Sequence, residues 1–138
     1  MRKNFLKKAI IAFFCLGILY LFSGEIYNSL AKETIQIREQ YLIDIADSLG
    51  NVDESVELRA VVMKKLFNRS FVRYYKNSQP IEEIMRDFEK RMMKNGYNIT
   101  VGEGVQGEKN GVIVIINKTK VGFYILVKYD DIFDKLNL

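Results

Sequence analysis

The chain has 138 residues, of which 21 are lysine or arginine and 17 are aspartate or glutamate, and it contains no histidine. Four of the basic residues precede an apolar N-terminal segment and every acidic residue follows it, so the rest of the chain carries 17 basic residues and 17 acidic ones. This balance excludes a strongly basic body, and we expect no nucleic-acid partner.

The side chains that usually carry cofactor chemistry are scarce. With no histidine and with Cys15 as its only cysteine, the chain lacks the usual ligands of zinc, haem and iron-sulfur sites and cannot form a Ser-His or Cys-His pair. Cys15 lies inside the apolar run, where it is typical of a small apolar residue in a hydrophobic helix. We therefore expect no catalytic residues, no metal, no cofactor and no bound nucleotide.

The N-terminal segment predicts a membrane helix or a signal sequence. Residues 1–8 form a basic flank, and residues 9–24 are uncharged. The basic flank predicts a cytoplasmic N-terminus. Apolar residues continue to Leu30 and favour a single-pass anchor, although 16 uncharged residues span only about 24 Å of helix. Alternatively, the small residues Ser29 and Ala31 fit signal cleavage after Ala31, which would give a secreted or periplasmic protein.

Residues 25–138 are expected to form one small extracytoplasmic domain that begins with helices. Residues 32–49 have apolar side chains at helical spacing and predict an amphipathic helix. Residues 53–75 follow with favourable N-terminal residues and predict a second helix. Residues 80–95 predict a third, with proline in the first turn and Gly96 as a left-handed cap.

The rest of the chain predicts strands. Residues 97–101 alternate apolar and polar, and residues 112–116 and 121–127 are continuous runs rich in β-branched and aromatic side chains. We expect a three-stranded antiparallel sheet, followed by a short helix or tail over 130–138. With its helices packed on one face of this sheet, the body is of the α+β class.

Three glycines in the connection 101–112 have the spacing of a nucleotide-binding loop. Gly102, Gly104 and Gly107 match GxGxxG, but a dinucleotide fingerprint needs a helix after the glycines, whose N-terminus holds the phosphates. Here a strand follows. We therefore interpret residues 102–111 as a mobile ten-residue hairpin connection, with Asn110 and Gly111 at a turn.

The candidate interaction surface is a line of four basic residues. Lys65, Arg69, Arg73 and Lys76 recur at spacings of 4, 4 and 3, so on the predicted second helix they would share one face. That face would suit anionic lipid headgroups or an acidic partner. The alternative is an ordinary solvated face, whose charges pair with acidic residues of neighbouring helices.

Together these features predict a small, non-enzymatic, single-pass protein of a bacterial cell envelope that acts through protein contacts. The hairpin over 112–127 is too apolar to leave one face in water, so its strands must be covered by the body's own helices or by a second chain. We expect a protein partner or self-association. The alternative function is a secreted binding or inhibitor-type domain, released after Ala31.

Overall fold

The computed structural model describes residues 2–65 and 68–131, and these fall into two compact units, Met1–Gln36 and Ile37–Leu138. The first unit contains α1 (Arg2–Leu30) and the start of α2 (Lys32–Ser48). The turn between them keeps helical bonding, because the Ala31 N–H donates to the Tyr27 carbonyl at 2.9 Å.

The apolar segment lies in α1 and is helical throughout. From Leu6 to Leu30 this is the one helix among the described residues that is long and apolar enough to cross a membrane. Its 25 residues rise about 37 Å, more than the hydrocarbon core requires. A signal sequence near an N-terminus has the same character, so the helix is compatible with either function.

The second unit contains the rest of α2, a helix α3 and a sheet of six antiparallel strands. The sheet order is β1-β2-β6-β5-β4-β3. The helix α3 spans Ile81–Lys94, and the strands are β1 (Val56–Lys64), β2 (Arg69–Lys76), β3 (Asn98–Val101), β4 (Val105–Lys109), β5 (Val112–Lys118) and β6 (Gly122–Tyr129).

Both helices cover the same face of the sheet. The core joins Leu42 and Ala46 of α2 and Phe88 of α3 to strand residues that alternate along β6 and β5, namely Phe123, Ile125, Val127, Val112, Val114 and Ile116. The rings of Phe88 and Phe123 meet edge to face, with centroids 5.5 Å apart. Such aromatic pairs add to the stabilisation that burial alone gives. The α+β class is thereby confirmed.

The predicted helix over 53–75 is wrong, because this segment forms the β1–β2 hairpin. Glu54 has a positive φ of 63°, which fits a turn and not a helix start. The strands that follow are rich in valine, tyrosine and phenylalanine, which favour strands. They add two strands beyond the three predicted.

The predicted mobile connection over 102–111 is also wrong. Within it, β4 pairs with β3 on one side and β5 on the other, so the sheet has six strands instead of three. The turn at Asn110 and Gly111 is confirmed, with φ of 52° and 72°. Gly96, with φ of 77°, follows α3 in the predicted left-handed conformation. The predicted terminal helix or tail over 130–138 lies, beyond Asp131, outside the described residues.

Candidate interaction surface

The four basic residues do not form a helical line. Lys65 follows β1, and the other three lie on β2. Because side chains alternate along a strand, Arg69 and Arg73 point to the helix-covered face and Lys76 points to the opposite one. The prediction of one basic face is therefore wrong, although a docking role for any single member stays a prediction.

Arg69 is held inside the fold. Its Nε lies 3.1 Å from a carboxylate oxygen of Glu39 on α2, and its side chain is 9% exposed. Its guanidinium also donates to the backbone carbonyls of Lys65 at 2.6 Å and Asn68 at 2.9 Å. Charged groups in such surroundings are stable only when they are paired. Arg69 thus fixes α2 against the hairpin.

Arg73 joins the same hairpin to α2 about two turns further on, at Asp47. Its guanidinium donates to Asp47 at 2.6 Å, and its Nε lies 3.4 Å from the Glu57 carboxylate without making a hydrogen bond. Burial alone would lower the pKa of Arg73, but hydrogen bonds to Tyr75 and Asp47 outweigh it and raise that pKa above its ordinary value. The guanidinium therefore stays charged, and it ties α2 to β1 and β2.

The other face of the sheet carries apolar side chains over which the described part of the second unit places no helix. We call it the open face, and its apolar members are Val61, Met63, Val72, Tyr74, Ile113, Ile115, Tyr124 and Leu126. None of them belongs to the helix-side core. Within residues 37–65 and 68–131, the two helices of the unit lie on the other side.

The open face has an apolar row across four neighbouring strands. The pairing register places Val61 beside Val72, Val72 beside Leu126, and Leu126 beside Ile115. Val72, at the middle of the row, is only 3% exposed. Next to this row Tyr74 and Tyr124 have ring centroids 5.9 Å apart, and Tyr74 is 37% exposed. Tyrosine at such a position offers both apolar area and a hydroxyl to a partner.

Cations flank this apolar surface. Arg59, Lys76 and Lys128 have side chains on the open face, whereas Glu108 is its one acidic strand residue in the described chain. By contrast, the helix-covered side carries the carboxylates of Glu39, Asp47 and Glu57, which pair with its arginines. The described strand residues of the open face thus carry more positive than negative charge, which favours a partner with negative charge around an apolar centre.

Two of the shallow clefts on this unit have volumes of about 420 and 300 Å³. The larger one, about 420 Å³, lies beside the β5–β6 turn and is lined by Leu58, Arg59, Tyr74, Tyr75, Thr119, Lys120 and Val121. The smaller, about 300 Å³, lies between α3 and the turn at Gly102 to Gly104. Neither Arg59 nor Lys120 forms an ion pair within the described parts of the chain. The larger cleft therefore extends the open face with an apolar wall and two available cations.

Part of this surface could be found in the sequence and part could not. The continuous apolar runs of β5 and β6 predict strands with apolar side chains on both faces, which is what the open face requires. The contribution of β1 and β2 was missed, because their segment was interpreted as a helix. The feature that indicates strands there is the content of β-branched and aromatic residues in VELRAVVMK and RSFVRYYK.

No protein-family model, no curated protein and no solved structure matches the chain.

Proposed function

We propose that the protein is a small, non-enzymatic, membrane-anchored protein of the bacterial cell envelope, whose extracytoplasmic domain binds a protein partner through the open face. The observation that carries this proposal is the asymmetry of the sheet. One face is covered by α2 and α3, while the other carries a row of apolar side chains and two tyrosines over which residues 37–65 and 68–131 place no helix. Tyr74 and Met63 are exposed there and most of the other apolar members are half-buried, and a contiguous apolar surface of this kind is a candidate interaction site.

The proposed partner has a complementary surface. Interfaces that bind stably have an apolar centre, often with tyrosine, and a polar rim. The open face has this arrangement, with Tyr74 and Ile115 toward its middle and Arg59 and Lys76 toward its edge. We therefore expect a partner whose contact surface is apolar at the centre and acidic at the rim.

Charge placed at the centre of the open face is expected to abolish partner binding. The full chain is purified from detergent-solubilised membranes with its bound proteins, in parallel with Tyr74→Lys and Ile115→Lys variants. A charge at a central hot-spot contact is expected to cost about 2 kcal/mol or more of binding energy, which is about thirtyfold in affinity, so co-purification of the partner should fall to background.

The matched control for these variants is Met93→Lys on α3. Met93 is 54% exposed on the helix side, so the same kind of substitution there adds a charge without touching the open face. We expect the Met93→Lys protein to retain its partner. Loss of the partner from all three variants, or from none, would contradict binding through the open face.

The membrane anchor is tested by the mature N-terminus. If α1 is an uncleaved anchor, sequencing of the mature protein begins at Met1 or Arg2, and the protein is released from membranes only by detergent. A mature N-terminus at Lys32, with the protein in the soluble fraction, would instead support the alternative function, a secreted binding or inhibitor-type domain.

A further inference from the structure

The outer edge of β1 is long, apolar at its centre and unpaired. Among the described residues, β2 is the one strand that pairs with β1, so the other edge presents a row of backbone N–H and carbonyl groups. The strand has nine residues, and those from Ala60 to Met63 read AVVM without a charge. Val56 and Leu58 are also 61% and 54% exposed.

The opposite edge of the sheet is built differently. There β3 has only four residues, Asn98–Val101, and two of them are the polar Asn98 and Thr100. Short and polar edge strands are how natural proteins avoid pairing with other chains. At β1 the register is irregular between Glu57 and Arg59, a device that protects one end of a strand, but the centre has no such protection. A long apolar edge of this kind is a template for a further strand.

The charges of β1 make it complementary to itself. Glu57 lies near its start, Lys64 is at its end, and Arg59 and the apolar stretch lie between them. Within one chain Glu57 lies 3.4 Å from Arg73 and Lys64 lies 3.7 Å from Glu39. When two copies of such a strand pair antiparallel about a two-fold axis near Val61, the start of each lies beside the end of the other. Glu57 of each copy then lies close to Lys64 of the second copy, and unlike charges face each other at both ends.

The same symmetry suits two chains held in one membrane. A two-fold axis that pairs edge strands is perpendicular to the sheet, so it keeps the helix-covered faces of both copies on one side. The part of α2 from Ile37 lies on that side in each copy. The open faces of the two copies likewise remain together on the other side and stay available to a partner.

We propose that the protein forms a homodimer in which β1 of one copy pairs antiparallel with β1 of the second, joining two six-stranded sheets into one. This goes beyond binding through the open face, since it uses an edge that the open-face variants leave intact. Anchoring both copies in one membrane raises their effective concentration, so that a modest strand-pairing energy suffices.

Position-specific cross-linking tests the proposal directly. The full chain is prepared in detergent micelles with Cys15→Ser, and single cysteines are introduced as Ala60→Cys, Val61→Cys or Val62→Cys. The residue on the two-fold axis lies opposite the same residue of the second chain. Their Cα atoms are then about 4.5 to 5.5 Å apart, which is within the range that a disulfide bridges. We expect mild oxidation to give a disulfide-linked dimer with Val61→Cys as the strongest of the three.

The matched control is Thr100→Cys, which places a cysteine on the opposite edge strand β3. It should remain monomeric on a denaturing gel after the same oxidation. Absence of the cross-link at all three β1 positions would overturn the proposal, and so would equal cross-linking at Thr100. Missing cross-links at β1 would overturn the proposal even if the protein has the mass of a dimer. Association of the α1 helices in the micelle could give that mass without bringing the β1 strands together.

A charge on the edge gives an independent measurement. In Val61→Lys, two lysines would face each other at the two-fold axis, and like charges directly opposite destabilise strand pairing. We expect the molar mass from light scattering, corrected for detergent, to fall from that of a dimer to that of a monomer. A dimeric mass for the Val61→Lys protein would overturn pairing through β1. Because Val61 also lies on the open face, Tyr74→Lys on β2 separates the two interfaces: it should lose the open-face partner and keep the dimeric mass.

Discussion

Replacing Glu39 with alanine is expected to lower the free energy of unfolding by about 3 kcal/mol. The carboxylate of Glu39 is the partner of Arg69, and the two side chains are 17% and 9% exposed. The substitution leaves a nearly buried guanidinium without its counter-charge, which is more costly than losing a surface ion pair. Urea unfolding of the full chain in detergent micelles, followed by far-UV circular dichroism, measures the change.

Two further variants show whether the loss comes from the uncompensated charge. The double variant Glu39→Ala with Arg69→Met removes both charges, and we expect it to be more stable than Glu39→Ala alone. Asp44→Ala, on the same helix, removes an exposed carboxylate bonded to Gln40 at 2.8 Å, and it should change stability by less than about 0.5 kcal/mol. Equal losses for Glu39→Ala and Asp44→Ala would contradict a specific role for the buried pair.

The sequence predicted a helix or strand correctly where its residue pattern fits only one of the two, as at α3, β5 and β6. The helix over 80–95 has apolar residues three and four apart with a proline before it and Gly96 after it, and the structure places α3 at Ile81–Lys94. Its buried residues are Ile84, Phe88 and Met92. The strands β5 and β6 were predicted because β-branched and aromatic residues in short continuous runs suit a sheet that is covered on one face and crowded on the other.

The β1–β2 hairpin was mispredicted because its spacing is ambiguous. Arg69 and Arg73 are four residues apart, and positions four apart share a face both in a helix and in a strand. Lys76 distinguishes the two structures, since a spacing of three keeps one face only in a helix. In the structure Lys76 lies on the opposite face from Arg73, and the favourable cap residues before the segment belong to a turn at Glu54.

The open face could be predicted only in part, because it depends on strands distant in sequence. β2 pairs with β6, so that Ser70 lies beside Lys128 and Val72 beside Leu126. No local pattern specifies which strand pairs with which. The apolar character of β5 and β6 predicted that something must cover them, but only the pairing shows that the helices cover one face and that β1 and β2 extend the other.

Substitution of Gly104 by alanine is expected to lower the free energy of unfolding by about 2 to 3 kcal/mol, whereas the same change at Gly102 is expected to have almost no effect. A Cβ at Gly104 would overlap the backbone carbonyl oxygen of Ile116, which cannot rotate away, so β4 and β5 would have to separate locally. At Gly102 a Cβ would have no atom within 4 Å. Thermal unfolding of the two variants side by side measures the difference.

Gly107 completes the comparison, because its environment lies between these two. A Cβ there would meet the terminal methyl of Met92 on α3. The Met92 side chain is fully buried, but it is flexible and can adopt another rotamer. We expect a loss smaller than that of Gly104→Ala. If the three glycines only gave mobility to a loop, each alanine would instead stabilise the protein slightly by restricting the unfolded chain. A loss that follows the packing, position by position, shows that strand packing requires Gly104 and Gly107.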